Sequence, residues 1–466
     1  MMITLNRVIN LDVNCYSGHL THLEVGNVYG KDSSQMDCSF MSKKLELREG
    51  FDANEAPLPA WKFDYYGPDP TIQSYNPTHN PVLTEVKKTK VRLFTEVFQK
   101  KTTPMNECKH ILYDGLFNSD MLDLQGVTFT QKNEVLLNDF DISWKDDELW
   151  VLDAHHVIES CNAIIKLIIQ TLEVRNQKPW MILGVDYGDN HDKVQDCPEV
   201  ADTIGKDYYR IAKRSIGINR KWNEELQFPE RGYIQPQPHP DQRPILHIPY
   251  PIRTDISRGI TVALRQQNIS NPLQTTRNLD VAHFYKRQKD VGTMAYYDNL
   301  RNGVNIVLRF LESMPLSPTR EVQVFAGLVG SDKRKGRNDV SVEYIQTMLK
   351  SKIIVVAQRD AWSDHYRLME ALNAGALVIA DESLVLPRGL RDRESVVIFQ
   401  SFSDLREKLL FYLIHDNERR AIAKRGWKIA MGYHRSWHAM EGVIFGIPVT
   451  DSGNPAKSFE RDLVFS

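Results

Sequence analysis

The chain is poor in cysteine. It has 5 cysteines in 466 residues, Cys15, Cys38, Cys108, Cys161 and Cys197, with no Cys-x-x-Cys among them. That argues against a small disulfide-stapled scaffold or a cysteine-based metal module, and the expectation is a reducing compartment with no oxidised framework. Long apolar runs are missing too. The best, LLFYLI at 409–414, is far too short to span a bilayer. The opening MMITLNRVINLDVN has no basic start leading into an apolar core, so it does not read as a signal peptide. Neither sign of charge dominates. The net charge is -2, and no global field draws the chain to nucleic acid or to an anionic membrane. These absences predict a cytoplasmic protein with no membrane span and no nucleic-acid partner.

Several catalytic signatures are absent as well. There is no Gly-x-Gly-x-x-Gly between a strand and a helix, which a dinucleotide oxidoreductase would need. GLVGSDKRKGR lacks the Gly-Lys-Ser/Thr ending of a phosphate-binding loop. The pair His155 and His156 and the run NHD at 190–192 lack the i,i+4 spacing of a zinc helix, so no metal is expected there.

What is present is a soluble globular composition, 42% hydrophobic and 25% charged. The length calls for two or three domains. Residues 1–95 read as a β-rich extension, with short alternating pieces and a Pro- and Gly-rich stretch at 55–81. From 96 to 262 the texture is α/β. HVIESCNAIIKLIIQTLEV (156–174) has helical spacing, and WMILGVD (180–186) and ILHIPYP (245–251) read as strands. A second α/β block covers 263–445. It alternates GVNIVLRFLESM (303–314), EVQVFAGL (321–328), SVEYIQTMLKSK (341–352), IIVVAQ (353–358), a helix from about 365, ALVIA (376–380) and SVVIFQ (395–400). Two closing helices follow, for which Ser403 and Asp416 are the expected caps, and 446–466 is a polar tail. Nearly all-apolar strands separated by helices predict parallel sheets covered on both faces.

The stretch DHYRLMEALNAGALVIADE (364–382) concentrates the chemistry. Ser363 or Asp364 is the expected cap, and Gly375 suits a left-handed helix end. Leu368 and Leu372 are four apart and should face the sheet, so Arg367, Glu370 and Asn373 cannot all lie on the buried side. The helix follows a buried strand, which aims its N-terminus at the crevice above the sheet, where anions are favoured. Arg359 and Arg367 lie near that edge. So does the loop GSDKRKGR, in which Lys335 and Arg337 flank a glycine. Cations at the mouth and a carboxylate one turn deeper suit the diphosphate and the ribose diol of a nucleotide.

SDHYRLMEALNAGALVIADESLVLP, followed by DLREKLLFYLIHDNERRAIAKRGWKIAMGYH, resembles the carboxyl-terminal domain of GT-B fold glycosyltransferases, in particular exostosin-like and CgeB-like members. DVAHFYKRQKDVG (280–292) resembles the segment that opens that domain, and the likeness covers about 280–440. It implies two Rossmann-like domains facing a cleft, with Glu370 on the ribose of a nucleotide sugar and Arg359 and Arg367 near its diphosphate. It also implies a glycan or other hydroxyl acceptor and no required metal cofactor. Many retaining members carry a second glutamate eight residues earlier. Here that residue is Trp362, so the resemblance leaves the stereochemistry open.

An inverting transfer needs a base from the first domain. Asp186 and Asp189, after a strand, and His155 or His156, before a helix, are the candidates, with a turn beside Gly188 as the plain alternative for Asp189 and helix capping for Asp153 or His155. Other readings stay open. The plan would serve a non-catalytic nucleotide- or glycan-binding scaffold, a phosphorylase or a nucleotide-sugar epimerase. Asp139 and Asp141 form an Asp-x-Asp that a metal-dependent GT-A-type transferase would use.

Overall fold

A computed structural model describes residues between 89 and 445 with interruptions. The longest are 97–110, 136–147, 235–244, 286–295 and 328–340, and 155–160, 188–193 and 359–364 are among the shorter ones. The expected N-terminal extension, apart from its last residues, and the polar tail lie outside the described residues.

The first sheet is built from β1 (Thr89–Glu96), β2 (Leu122–Gln131), β3 (Glu134–Val135), β4 (Glu148–Asp153), β5 (Met181–Asp186), β6 (Tyr209–Arg214) and β7 (Ile245–Ile248). Its order is β7-β6-β5-β4-β1-β2-β3. Every pair is parallel except β2 with β3. The sequences ELWVLD and MILGVD are buried at all six positions, as central parallel strands covered on both faces must be. Helices α1 (Cys161–Arg175) and α2 (Pro198–Ile204) pack together on one face, with Ile164, Leu167, Ile168, Val200 and Ile204 in a common core.

That packing overturns the expectation for the cysteines. Cys161 and Cys197 form a disulfide, with Cα atoms 5.7 Å apart. They are 36 residues apart in sequence. Two crossover helices on the same sheet face bring them together, a proximity that sequence spacing does not report.

The chain then crosses to α3 (Thr254–Gln266) and a second sheet. That sheet has β8 (Leu279–His283), β9 (Val324–Ala326), β10 (Ser351–Val356), β11 (Leu377–Asp381) and β12 (Val397–Phe399), in the order β9-β8-β10-β11-β12. All pairs are parallel. The helices are α4 (Tyr296–Glu312), α5 (Val342–Lys350), α6 (Tyr366–Asn373), α7 (Phe402–Ile414), α8 (Asp416–Tyr433) and α9 (Ser436–Phe445). The expected elements are all present in this block, with shifted ends: α4 starts seven residues earlier than expected, and β9 is three residues long. Two parallel sheets flanked by helices form tandem Rossmann-like domains, a GT-B-like plan.

Among the described residues the domains are joined at several places, one of them Phe228, between β6 and β7, which enters the second-domain core beside Phe399 and Phe402. The chain leaves β7 and pairs with the segment before α9: Ile252 donates its backbone N–H to His434 O at 2.6 Å, and Ile252 and Arg435 form a bridge. Helix α9 then returns to the first domain, where Ala439, Met440, Val443 and Ile444 enter the same core as Val91, Leu93 and Leu149. Tyr250, past the carboxyl end of β7, meets Tyr366, past the carboxyl end of β10, with ring centroids 5.7 Å apart. The carboxyl ends of the two sheets therefore approach one another. No helix among the described residues is long and apolar enough to cross a membrane.

Candidate functional site

Helix α6 is short and amphipathic in pattern, yet it is buried on every side from Leu368 onward. Leu368, Met369, Glu370, Ala371, Leu372 and Asn373 are all buried. Arg367, Glu370 and Asn373 are not all buried, as expected, but two of the three are. Arg367 is only partly buried, but Glu370 and Asn373 are enclosed. The reason is tertiary. The sheet covers one face of α6, while α3 and α8 close the others, and Asn373 Nδ2 donates to Ser257 on α3 at 2.9 Å.

The helix cap also differs from expectation. His365, not Ser363 or Asp364, is the N-cap: its Nδ1 accepts the Arg367 N–H at 3.0 Å. Accepting there places the ring proton on Nε2, which faces the Tyr285 hydroxyl at 2.7 Å. At the other end Gly375 has φ +69°, the left-handed conformation expected of it. Caps slip elsewhere for the same reason. Ser401 rather than Ser403 accepts the Asp404 N–H of α7, and His415 occupies the cap position of α8 while Asp416 begins the helix and pairs with Arg419 and Arg420.

The mouth of α6 is cationic and aromatic. The Arg301 guanidinium, from α4, sits 3.6 Å from the centroid of the Tyr285 ring, and Arg367 sits 4.3 Å from it. Arg367 also lies 5.0 Å from the Tyr366 ring. Arg301 Nε donates to Ala357 O at 3.2 Å, which fixes it over the carboxyl end of β10. Beneath Tyr285 lies His283, the last residue of β8, wholly buried with its ring centroid 4.7 Å from that of Tyr285. Its Nδ1 bonds Asn305 Oδ1 at 2.9 Å. Burial outweighs the Asn305 bond and, reinforced by the nearby Arg301 and Arg367 charges, brings the His283 pKa down to about 3.

One turn deeper is Glu370. Its Oε2 accepts the Tyr344 hydroxyl at 2.6 Å, and its Oε1 lies 3.8 Å from Arg253 Nη1. Both Glu370 and Arg253 are almost fully enclosed. Burial, reinforced by the Glu370 carboxylate, pushes the Tyr344 phenol well above its ordinary range, so it remains the donor. Arg253 is the residue after the crossover bridge at Ile252, so α3 carries it from the domain junction to the site.

The structure thus brings two of the expected site residues, Glu370 and Arg367, onto one helix at the carboxyl edge of the second sheet. Arg359, Lys335 and Arg337 lie outside the described residues. So do Asp189, His156, Asp139 and Asp141. Asp186 ends β5 in the first domain. It is wholly buried and ion-paired with Lys213 at 2.8 Å. Its neighbour on β4, Asp153, accepts the Tyr187 hydroxyl at 2.9 Å. Among the described residues no group of three or more His, Cys, Asp or Glu side chains is arranged to hold a metal.

Five side chains in this site escaped the sequence: Tyr285, Arg301, His365, Tyr344 and Arg253. The only signal for any of them was position just past an apolar strand, which applied to Tyr285 alone.

Residues 308–444 match a family described as glycosyl transferase-like. The matched segment runs from within α4 through α9, so it contains the Glu370 helix and the Tyr344 that bonds it. No curated protein matches the chain. Among solved structures, HepE of Anabaena in complex with UDP shares 10% identity over 77% of this chain and 99% of its own, with a TM-score of 0.38. A glycosyltransferase from Rickettsia africae shares 8% over 82% and 100%, TM-score 0.39. Sucrose-phosphate synthase from Thermosynechococcus elongatus shares 12% over 77% and 98%, TM-score 0.34. Likeness at these values assigns no activity to the glycosyl transferase-like segment.

Proposed function

We propose that the protein transfers a sugar from a nucleotide-sugar donor to a glycan or other hydroxyl acceptor, without a required metal. The observation that carries this reading is the layered site on α6. Arg367 and Arg301 stand at its mouth over Tyr285, and an enclosed carboxylate, Glu370, sits one turn below. A diphosphate would neutralise the guanidinium pair through charge-assisted bonds, and the ribose diol would reach Glu370. The same cations would stabilise the charge that grows on the leaving diphosphate, which removes the need for a divalent ion. Arg359, Lys335 and Arg337 would add to this field from the loops after β10 and β9.

The acceptor hydroxyl would be oriented from the carboxyl edge of the first sheet, which meets the second domain at Tyr250 and Tyr366. Asp186, Asp189 and His156 are the proposed sources of the base. The burial of Asp186 and its pairing with Lys213 favour a rival reading, a non-catalytic nucleotide- or glycan-binding scaffold, because an enclosed carboxylate is out of reach of an acceptor hydroxyl. Slow hydrolysis of donor without acceptor would separate the enzyme from the scaffold. Release of sugar phosphate from a glycan on adding inorganic phosphate would instead indicate a phosphorylase.

The test is calorimetry with a panel of nucleoside diphosphates and their sugars, with and without manganese. One nucleotide is expected to bind equally well in both conditions. Glu370→Ala is expected to weaken that binding about tenfold or more, the scale of a lost hydrogen bond to a charged group. Arg367→Ala is expected to lower turnover more than it weakens donor binding. Wild-type affinity and turnover in both variants would remove the proposed site.

A further inference from the structure

We infer that Phe228 is a positioning residue: through it the first domain sets helix α4, and with α4 the Arg301 guanidinium at the donor mouth. The inference rests on the diphosphate role proposed for Arg301. It deepens that role by making it depend on the apposition of the two domains.

Phe228 belongs to an arm between β6 and β7, both strands of the first sheet. The arm is a hairpin with two antiparallel rungs, Ile218–Asn219 with Tyr233–Ile234 and Trp222–Asn223 with Phe228–Pro229. The Phe228 side chain does not join the first core. It is 2% exposed and lies among residues of the second domain, including Leu300 and Val304 of α4 and Val397 of β12. Two edge-on ring contacts hold it, with centroids 5.8 Å from Phe399 and 5.4 Å from Phe402. Phe399 ends β12 and Phe402 begins α7, so the slot lies at the carboxyl edge of the second sheet.

The slot and the donor mouth share α4. Phe402 lies against Gly303 of that helix, where a Cβ would overlap its ring. The missing side chain lets Phe402 rest on α4, with Phe228 edge-on to it. Two residues before Gly303, Arg301 leaves α4 on another side. It donates to Ala357 O at 3.2 Å and stands 3.6 Å from the Tyr285 ring centroid. Leu300, Arg301, Gly303 and Val304 thus fall within little more than one helical turn, which moves as a unit.

A close-packed interior transmits a displacement rather than absorbing it. A void at Phe228 would let Phe402 collapse into it, and α4 would follow. A displacement of about 1 Å is enough to spoil a bond from a guanidinium to a phosphate. The wedge is made only while the domains are together. The full cationic mouth is therefore reserved for the closed arrangement, in which a departing diphosphate is kept from water.

The experiment compares UDP, GDP, ADP, CDP and dTDP with the corresponding monophosphates, by calorimetry on the full chain. The ratio of the two affinities isolates the second phosphate and does not follow a general loss of stability. Wild type is expected to favour one diphosphate by about ten- to a hundredfold, the scale of a hydrogen bond to a charged group. Phe228→Ala is expected to cut that preference several-fold. Gly303→Ala is expected to cut it too, by displacing Phe402, although alanine suits a helix better than glycine. It serves as the test should Phe228→Ala fail to fold. Phe228→Leu fills most of the slot and is expected to keep most of the preference. Arg301→Gln is expected to cut the preference at least as far, and adding Phe228→Ala to it to cut it no further. If folded Phe228→Ala or Gly303→Ala keeps the wild-type ratio, the wedge is overturned while the donor reading stands. The same holds if Phe228→Ala acts equally with and without Arg301. If Arg301→Gln keeps the ratio, or wild type shows no diphosphate preference, Arg301 is not at the diphosphate and the inference falls. If wild type binds none of the diphosphates, the donor reading fails and takes this inference with it.

Discussion

Burial pushes the His283 imidazole from its ordinary range down to about 3, so in the folded chain it stays uncharged across the working range of pH. In the unfolded chain the same ring takes up a proton near 6.5. Above that value neither state is protonated, and the full stability is present. Between about 6.5 and 3 only the unfolded state gains the proton, so stability falls as the pH falls, by at most about 1.4 kcal/mol per pH unit. From pH 7 to pH 5 the residue is expected to account for roughly 2 kcal/mol of lost stability. Urea unfolding at the two values, on wild type and His283→Gln, checks this. The variant should show a flatter profile, and identical slopes would contradict the burial account. His283 also shows the limit of reading single residues from sequence. Glu370 and Arg367 were legible because one helix carries them with a glycine behind. Tyr344, Arg253, Arg301 and His283 come from four other elements, and no local pattern links them.

Helices and strands were read more fully than their ends. Apolar runs between turn signals located four of the five strands of the second sheet, because burial on both faces demands such runs, while β8 reads only as the segment that opens the domain. Caps moved by one or two residues, from Ser403 to Ser401 and from Asp364 to His365, because a cap is whichever side chain reaches the free N–H groups once the entering strand is placed. A close fit between elements was also hidden. In α8, a Cβ on Gly426 would lie 2.2 Å from Ser395 O and 2.8 Å from Leu372 Cδ2. That glycine lets α8 press against α6 and the turn before β12. Gly426→Ala is expected to cost about 3 kcal/mol, since backbone rather than a flexible side chain must yield. Because Leu372 is one of the displaced atoms' owners, donor binding should weaken with stability. Thermal unfolding and the calorimetric assay read both effects, and an unchanged melting temperature would show that the helices can separate without cost.

At the scale of the whole molecule, the last described helix belongs to the first domain. Met440 packs against Gly115, and the Ser119 hydroxyl donates to Glu441 Oε1 at 2.5 Å, with both residues buried. A chain ending at Arg435 would lack α9 and uncover the first-domain core at Ala439, Met440, Val443 and Ile444. Its expected outcome is loss of the first domain's unfolding transition, although the deletion lies more than two hundred residues from β6 in sequence. Calorimetric scanning of the truncated and full chains tests it. Two unchanged transitions would show that α9 is dispensable.

The sequence by itself determined the α/β class, the two blocks, the strand–helix alternation and the helix bearing Glu370 and Arg367. Those features follow from local periodicity, turn chemistry and burial pattern, each set within a dozen or so residues. Only the tertiary structure decided that Cys161 reaches Cys197, that α9 crosses back to the first core, and that Tyr344 and Arg253 converge on Glu370. These are contacts between distant parts of the chain. They depend on strand order and helix packing, which hydrophobic pattern leaves open, and a lone tyrosine or arginine carries no mark of the partner that the fold will give it.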